Sequence, residues 1–231
     1  MTSSPVAAMF DRISPKYDQL NHLLSLNIDK AWRRKTAREV AKQRPQAILD
    51  LATGTADLAI ALAKRNPQAY ITGVDFSEKM LEIGREKVKL QHLENQIELL
   101  QGDAASLPFA SSTFDAVTCA FGVRNFEDLE KGISEICRVA KAGGQVAILE
   151  FSMPERFPLR QLYRLYFKHL LPFIGRIVSK DRNAYAYLPL SVEKFPQPNA
   201  FCPLLASFGV GKCRAKRLSF GIATLYTAIK G

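Results

Sequence analysis

Short apolar runs and longer amphipathic stretches alternate through residues 47–151, and this alternation constrains the fold more than any other feature of the chain. Five runs have the length of buried strands, at 47–52, 70–75, 97–101, 114–121 and 145–151. Helical stretches are predicted at 56–65, 77–90 and 127–140, the second of them capped by Ser77. Strands that alternate with helices form a mostly parallel sheet with helices on both faces. The sequence therefore predicts an α/β fold.

The segments that flank this core have different patterns. Residues 1–46 predict helices that precede the sheet, whereas 210–218 and 222–230 flank a Ser219-Phe220-Gly221 turn and predict an antiparallel hairpin at the sheet edge. The chain has 231 residues without an internal repeat or a flexible linker, so we predict one domain. Its parts are N-terminal helices (1–46), a ligand-binding core (47–151), an insertion that forms a lid over the substrate (152–199), and a C-terminal helix and hairpin (200–231).

Composition narrows the class of protein. With 47% hydrophobic and 23% charged residues, the chain fits a globular protein and not a disordered one. No stretch approaches the roughly 18 uncharged apolar residues of a membrane span, and no secretory signal precedes residue 16, so we expect a cytoplasmic protein. The four cysteines, at 119, 137, 202 and 213, lack metal-ligand spacing, so we expect reduced thiols and no metal site.

The net charge of +10 allows three classes of partner: nucleic acid, an anionic membrane surface or an acidic small molecule. Charge alone does not decide among them.

Acidic and small residues stand at the carboxyl ends of three predicted strands, where open α/β sheets bind their ligands. Asp50 and Gly54 follow the first strand, Asp75 closes the second, and Asp103 and Ala104 follow the third. Gly54 permits a tight turn and a close backbone approach to a ligand. Asp75 can accept both ribose hydroxyls of an adenosine, and Asp103 can accept a hydrogen bond from the adenine amino group. Only one of the three glycines of a dinucleotide fingerprint is present, which disfavours a hydride-transfer cofactor.

These segments, DLATGTAD, VDFSEKML and GDAASLPFASSTFD, together with VAKAGGQVAILEF, resemble the class I S-adenosylmethionine-dependent methyltransferases. Flanking segments narrow the resemblance, over about residues 9–230, to the quinone-biosynthesis C-methyltransferases: MFDRISPKYDQLNHLLSLNIDKAWRR, AFGVRNF, LEFSMP, AYAYLPLSVEKFP and SFGIATLYTAIK. The resemblance implies a Rossmann-like, seven-stranded, mostly parallel sheet and S-adenosylmethionine as the cofactor. It also implies a prenylated quinol substrate: demethylmenaquinol, methylated in the last step of menaquinone biosynthesis, or alternatively a ubiquinol precursor.

The resemblance also implies roles for individual residues. The cofactor positions are Thr55, Asp75, Asp103 and Ala104, and Asp50 and Gly54 line the same loop. Ala120 stands where family members often have Ser, so we expect any cofactor contact there to come from the backbone.

Carbon methylation of a hydroquinone requires a ring carbon made electron-rich by ionisation of the quinol, in line with the methyl donor. Arg124 and Asn125 follow the fourth strand, beside the expected donor. Arg124 can stabilise a phenolate, and Asn125 can hydrogen-bond a quinol oxygen or hold a water that accepts its proton. The alternative is a structural salt bridge at Arg124. Tyr185 and Tyr187 are candidate residues of the quinol pocket, although an aromatic pair also serves core packing.

The insertion contains an amphipathic helical pattern. Its apolar positions are Leu159, Leu162, Tyr163, Tyr166, Phe167, Leu170 and Leu171, and Arg156, Arg160, Arg164 and Lys168 fall every four residues on another face. We expect the apolar face to contact an isoprenoid tail and the basic face to meet an anionic membrane, placing the protein peripherally at the inner face of the cell membrane. A lid with a solvated basic face is the alternative.

Two other functions stay open at this point: an RNA methyltransferase and a non-catalytic cofactor-binding module. Residues 120–125 lack the Asn/Asp-Pro-Pro-aromatic tetrad of amino-group nucleic-acid methyltransferases, which counts against that class but not against carbon-methylating RNA enzymes. We expect no nucleic-acid partner. The sequence does not decide whether the protein forms a homo-oligomer.

Overall fold

A computed structural model describes residues 5–155, 157–165 and 182–231 of the chain. The strands are β1 (Ala47–Leu51), β2 (Tyr70–Asp75), β3 (Ile97–Gln101), β4 (Phe114–Ala120), β5 (Ala140–Phe151), β6 (Val210–Leu218) and β7 (Ala223–Lys230). The α-helices are α1 (Pro5–Leu24), α2 (Ile28–Val40), α3 (Asp57–Arg65), α4 (Glu78–Leu90), α5 (Leu129–Val139), α6 (Leu159–Leu165), α7 (Arg182–Lys194) and α8 (Pro198–Ser207). Short 3-10 turns lie at Ala41–Gln43, Val123–Asn125 and Ser219–Gly221.

The seven strands form one sheet in the order β3-β2-β1-β4-β5-β7-β6. Strands β1 to β5 pair in parallel, whereas β7 runs antiparallel to both β5 and β6. The predicted seven-stranded, mostly parallel sheet with a C-terminal hairpin is confirmed. Because β1 and β4 are central neighbours whose crossovers leave in opposite directions, their carboxyl ends form the crevice in which ligands of such sheets bind.

Both faces of the sheet are buried, as the unbroken apolar strands predict. Alternate residues of β1 point to opposite faces: Ile48 packs with α2, α3 and α4, whereas Leu49 and Leu51 pack with α5 and α8. Each of these three side chains is fully buried, which contributes about 1.5–3 kcal/mol apiece to stability. The strand ends are thus held on a rigid base.

Most predicted element boundaries are confirmed to within two residues. Ser77 caps α4, since its Oγ accepts a hydrogen bond from the Met80 backbone at 3.2 Å. The predicted helix 127–140 is confirmed as α5, but β5 begins five residues before the strand predicted at 145–151. The chain leaves the helix after Val139 because Ala140 already pairs with Phe114, and an irregularity in the register lies between this pair and Gln145.

The insertion is helical where it is described. Helix α6 begins at Leu159, as the periodicity predicts, and α7 covers the segment that contains Tyr187. Arg156, Lys168 and the apolar positions from Tyr166 to Leu171 lie outside the described residues, as do the side chains of Leu159, Arg164 and Tyr185. Among the residues that are described, no helix is both long enough and apolar enough to span a membrane.

The expectation of four reduced cysteines is wrong for one pair. Cys202 of α8 and Cys213 of β6 form a disulfide across a Cα–Cα distance of 5.5 Å. Helix α8 turns back through Gly209 and packs on the strand that follows it, which brings the two residues together although eleven positions separate them. Cys119 is a buried free thiol, and Cys137 is a half-buried one.

Candidate active site

The loop after β1 turns sharply through three residues with positive φ: Ala52, Gly54 and Ala56. Gly54 has a φ of +57°, and a Cβ built on it would meet no atom within 4 Å. Ala56, with a φ of 64°, immediately precedes α3 and stands where a third family glycine is common. Open space above Gly54 at the amino end of a helix is a cradle for a ligand that carries an anionic group. The sequence predicted this cradle from Gly54 alone.

Asp75 ends β2 and closes the other side of the cradle. Its carboxylate accepts hydrogen bonds from the backbone of Gly54 at 2.8 Å and of Ser77 at 2.9 Å. Burial raises the pKa of this carboxyl to about 6, although the backbone donors oppose that shift. A carboxylate has about four acceptor positions, so two remain for a pair of hydroxyl groups.

Asp50 lies beneath the loop, at the bottom of the crevice. Thr53 and Thr118 each donate a hydroxyl hydrogen bond of 2.7 Å to its carboxylate, which is almost completely buried. Burial raises the pKa of Asp50 to about 6, and the two hydroxyl donors partly offset this effect. The contacts of Asp50 therefore fix the shape of the loop by joining β1 to β4.

Helix α1 lies over the mouth of the cradle, which the sequence did not predict. The Thr55 hydroxyl donates to Asp18 of α1 at 2.6 Å, and Lys87 of α4 donates to Asp18 at 2.8 Å. Asp11 accepts a hydrogen bond from the Ser77 hydroxyl. These contacts hold α1 against both the loop after β1 and the start of α4. In the sequence, these contacts are indicated only by two acidic residues, Asp11 and Asp18, which lie two turns apart on one face of α1. Their partners on the loop and on α4 are not indicated.

A second charged cluster joins α1, α2 and α3 beside the same loop. Asp29 accepts hydrogen bonds from Arg33 and from His22, the latter at 2.8 Å, and Arg33 and Lys87 both pair with Asp57. Burial alone would raise the pKa of Asp57, but Arg33 and Lys87 hold it below its usual value. Ligand atoms of His22, Asp29 and Asp57 lie within 4.8 Å of one another, as in a metal site. Two cations already balance these carboxylates, so the cluster is an ion-pair network that anchors α2.

The remaining predicted cofactor positions lie along the same edge of the sheet. Asp103 is exposed after β3 and accepts a hydrogen bond from the Ala105 backbone at 2.8 Å, which fixes the turn that contains Ala104. Ala120 is half-buried at the end of β4, and Phe121, with a φ of 61°, turns the chain away from the sheet. The structure thus places the predicted cofactor positions at the carboxyl ends of four adjacent strands.

Arg124 forms a buried ion pair at this edge. Its Nη1 lies 2.7 Å from Glu150 Oε1, and the Arg124 and Glu150 side chains are 7% and 0% exposed. Its Nε donates to Ser191 of α7 at 3.3 Å, and its guanidinium carbon lies 5.2 Å from the centre of the Phe151 ring. The sequence could not identify Glu150 as the partner, because parallel pairing of β4 and β5 is what brings together residues 26 positions apart.

Asn125 and Tyr187 meet beside Arg124. The Tyr187 hydroxyl donates to Asn125 Oδ1 at 3.1 Å, and Asn125 Nδ2 donates to the Phe121 carbonyl at 3.3 Å. Burial raises the pKa of Tyr187, while the positive charge of Arg124 lowers it. The predicted catalytic residues and one of the two predicted pocket tyrosines therefore form one contiguous group.

Tyr17 of α1 completes this group, and sequence reasoning missed it. Its hydroxyl is hydrogen-bonded to Asn21, and burial raises its pKa while Arg124 and Arg33 lower it. Tyr17 therefore lies close enough to Arg124 to feel its positive charge.

Comparison with known proteins identifies the family. Residues 1–230 match the model of the ubiE/COQ5 methyltransferase family. The chain belongs to this family. The sequence predicted a methyltransferase with S-adenosylmethionine as its cofactor. Membership of the ubiE/COQ5 methyltransferase family confirms both predictions.

Curated relatives of this ubiE/COQ5 methyltransferase are similar over nearly the whole chain. Demethylmenaquinone methyltransferase from Bacteroides fragilis is 48% identical, covering 99% of this chain and 93% of the relative. The enzyme of the same name from Thermus thermophilus is 45% identical, with coverages of 94% and 98%. A ubiquinone/menaquinone biosynthesis C-methyltransferase from Geotalea daltonii is 42% identical, with coverages of 97% and 96%.

Solved structures of other methyltransferases share the fold. An S-adenosylmethionine-dependent methyltransferase from Thermotoga maritima superposes with a TM-score of 0.65 at 18% identity, covering 97% of this chain and 99% of that one. One from Aquifex aeolicus gives a TM-score of 0.57 at 20% identity, with coverages of 80% and 82%. The predicted class I methyltransferase fold is confirmed.

Proposed function

We propose that the protein transfers a methyl group from S-adenosylmethionine to a ring carbon of demethylmenaquinol, giving menaquinol. The observation that carries this proposal is the contiguous group of Arg124, Asn125 and Tyr187 at the end of β4, next to the cradle of Gly54 and Asp75. The names of the relatives from Bacteroides fragilis and Thermus thermophilus support the choice of acceptor.

The cradle fits S-adenosylmethionine on three grounds. Open space lies above Gly54, a helix amino terminus follows it, and Asp75 retains acceptor positions for two ribose hydroxyls. When bound, this cofactor supplies an electrophilic methyl group on a sulfonium centre. We assign its ribose to Asp75 and its amino-acid end to the loop of Gly54 and Thr55.

The other cofactor residues have supporting roles in this proposal. Asp103 and Ala104 lie at the end of β3 and would meet the adenine, and the backbone at Ala120 would meet the cofactor from β4. Asp50 is almost completely buried beneath the loop and is bonded to Thr53 and Thr118, so it acts on the cofactor through the loop that it shapes.

The acceptor is positioned by groups that the protein holds rigidly. Glu150 fixes the Arg124 guanidinium and also balances its charge, so Arg124 acts on a quinol oxygen as a directed hydrogen-bond donor more than as a free cation. Asn125 is oriented by Tyr187 and by the Phe121 carbonyl, and it would hold either the second quinol oxygen or the water that takes its proton. Donors that are fixed before the reaction stabilise the developing phenolate without reorganisation.

Peripheral contact with the inner face of the cell membrane, from the cytoplasmic side, belongs to the same proposal. A quinol with an isoprenoid tail resides in the bilayer, so we expect the enzyme, whose described residues include no membrane-spanning helix, to reach it from the surface. Arg160 and Leu162 are both exposed on α6, in the segment whose basic repeat predicted this contact. Substitution of Arg160 by Gln is expected to weaken binding to anionic vesicles most at low salt.

A ubiquinol precursor is the second candidate acceptor, because the name of the Geotalea daltonii relative includes ubiquinone as well as menaquinone biosynthesis. The test incubates the protein with S-adenosylmethionine and, in separate reactions, a short-tailed demethylmenaquinol and a short-tailed ubiquinol precursor. Mass spectrometry should find the added methyl on the ring carbon of the first. Methylation of the second alone would replace the proposed acceptor, and methylation of neither would reject the function.

A further inference from the structure

Phe220 stands at the tip of the β6–β7 hairpin with a relative exposure of 82%. Ser219 and Phe220 both have positive φ values, 44° and 60°, in a turn without glycine at either position. Side chains other than glycine adopt this left-handed region at a cost, and such strain persists where surrounding contacts enforce it and often marks a functional position. The hairpin therefore presents a large apolar ring to water in a strained conformation.

Specific hydrogen bonds enforce the conformation of this turn. Trp32 Nε1 donates to Ser219 Oγ at 2.9 Å, and Ser152 Oγ donates to the Gly221 carbonyl at 2.8 Å. Arg217 donates to the Met153 carbonyl at 3.3 Å, which ties the hairpin to the segment that leaves β5. Since these contacts come from α2 and from the end of β5, the tip is fixed at the carboxyl edge of the sheet, where the active site lies.

Four other exposed large apolar side chains lie on the described segments that follow β5. Phe157 is 80% exposed, only two residues after Glu155, which pairs with Arg217 of the hairpin. Leu162 and Leu165 follow on α6, and Leu190 is next to Ser191, the partner of Arg124. Exposed Tyr70 and Leu90, by contrast, lie at the opposite edge, at the start of β2 and the end of α4.

Cations line the strand that leads to the aromatic tip. Among the described basic residues of β6, Lys216 is the unpaired one nearest to the tip, since Arg217 pairs with Glu155. Lys212, Arg214 and Lys216 are exposed on β6, and residues 210–220 contain four basic residues and no acidic one. Charged residues on an edge strand also prevent strands of other molecules from pairing with it, but an exposed Phe does nothing for that purpose. Apolar side chains that project beside cations match an anionic bilayer, in which headgroup phosphates lie above the acyl chains.

We propose that Phe220, together with Phe157, inserts into the interface of an anionic bilayer while the cations of β6 contact its headgroups. This inference rests on the proposed function, since a prenylated quinol is the reason for the enzyme to dock at a membrane. It adds the tip of the β6–β7 hairpin to the docking surface expected of the insertion and turns the carboxyl edge of the sheet toward the bilayer. Charge complementarity favours an anionic bilayer over a protein partner, since the exposed rings project from separate segments beside a basic strand.

The test compares Phe220→Ser with Leu90→Ser, a matched control that removes an equally exposed apolar side chain at the opposite edge. Binding is measured by sedimentation with vesicles of phosphatidylcholine, with and without phosphatidylglycerol. We expect Phe220→Ser to lower the partition coefficient on anionic vesicles about 10-fold, and Leu90→Ser to leave it unchanged. A second variant, Phe220→Trp, should show a blue-shifted emission on adding these vesicles.

Equal partitioning of Phe220→Ser and the unaltered protein would overturn the proposal, as would Phe220→Trp emission that does not respond to vesicles. Loss of a dimer in sedimentation velocity, with vesicle binding retained by Phe220→Ser, would instead show that the tip joins two copies of the chain. Methylation of a water-soluble, short-tailed quinol should be the same in all variants. Absence of that methylation in the unaltered protein would reject the proposed function without bearing on vesicle binding.

Discussion

Substitution of Glu150 by Gln is expected to reduce the free energy of unfolding by about 3–5 kcal/mol, the usual cost of removing one partner of a buried ion pair. The Arg124 and Glu150 side chains are almost completely shielded from water, at 7% and 0% exposure. The substitution keeps the shape of the side chain but leaves the Arg124 guanidinium without its counter-charge. It thus isolates the electrostatic contribution.

The geometry of the pair supports this magnitude. Arg124 Nη1 and Glu150 Oε1 are 2.7 Å apart, and two unit charges about 4 Å apart attract by about 4 kcal/mol at an effective dielectric constant near 20. Glu150 also accepts hydrogen bonds from the backbone of Phe151 at 2.8 Å and of Arg124 at 3.3 Å. A glutamine amide nitrogen would face one of these donors, so we expect little compensation from new hydrogen bonds.

The assay is urea unfolding followed by fluorescence of Trp32, the only tryptophan of the chain. Trp32 is buried and packs against Phe121 and Phe151, so its emission reports on the Arg124 region directly. Glu78→Gln is the matched control, because Glu78 pairs with Arg85 at the surface, where an ion pair contributes about 0–1 kcal/mol.

A double-mutant cycle with Arg124→Leu separates the ion pair from general damage. If the ion pair is the cause, the double variant should lose less free energy of unfolding than the two single variants lose together. The difference should be about 1 kcal/mol or more. A loss below about 1 kcal/mol for Glu150→Gln, or strict additivity, would refute the reasoning.

Three further predictions concern the site. Asp75→Ala should weaken S-adenosylmethionine binding by about 1–3 kcal/mol in titration calorimetry, and unchanged affinity in a folded variant would reject the ribose assignment. Arg124→Leu should lower turnover by about 100-fold with near-normal cofactor affinity, whereas a loss of turnover that follows cofactor affinity would make Arg124 purely structural. Cofactor affinity should fall as the pH decreases through about 6, because burial raises the pKa of Asp75 to about 6 and hydroxyl donors favour its ionised form. Asp75→Asn should remove this pH dependence of cofactor affinity. If the dependence persists in Asp75→Asn, a different group titrates.

The sheet and the cradle could be predicted because their signals are local. Each strand carries its own apolar run, and Asp50, Gly54 and Asp75 directly adjoin the strand ends that position them. Strand order follows from the crossover rules for such alternating chains, so adjacent strand ends imply a shared site.

The contacts that complete the site could not be predicted, since they join distant segments. Asp18 reaches Lys87 across 69 positions, and no periodicity in α1 or α4 specifies that approach. The Cys202–Cys213 disulfide likewise depends on how α8 packs on β6, which cysteine spacing does not reveal. Tyr17 was missed for the same reason, because only the placement of α1 over the cradle brings it to Arg124.

Methylation of a ring carbon of a demethylated quinol can be observed directly. S-adenosylmethionine with an isotopically labelled methyl group is supplied together with a short-tailed demethylmenaquinol kept reduced, and the label is then located in the product by NMR. We expect a carbon–methyl signal on the quinone ring, strongly reduced in Arg124→Leu. A label on a quinol oxygen, or no transfer by a folded protein that binds the cofactor, would contradict the proposed methylation.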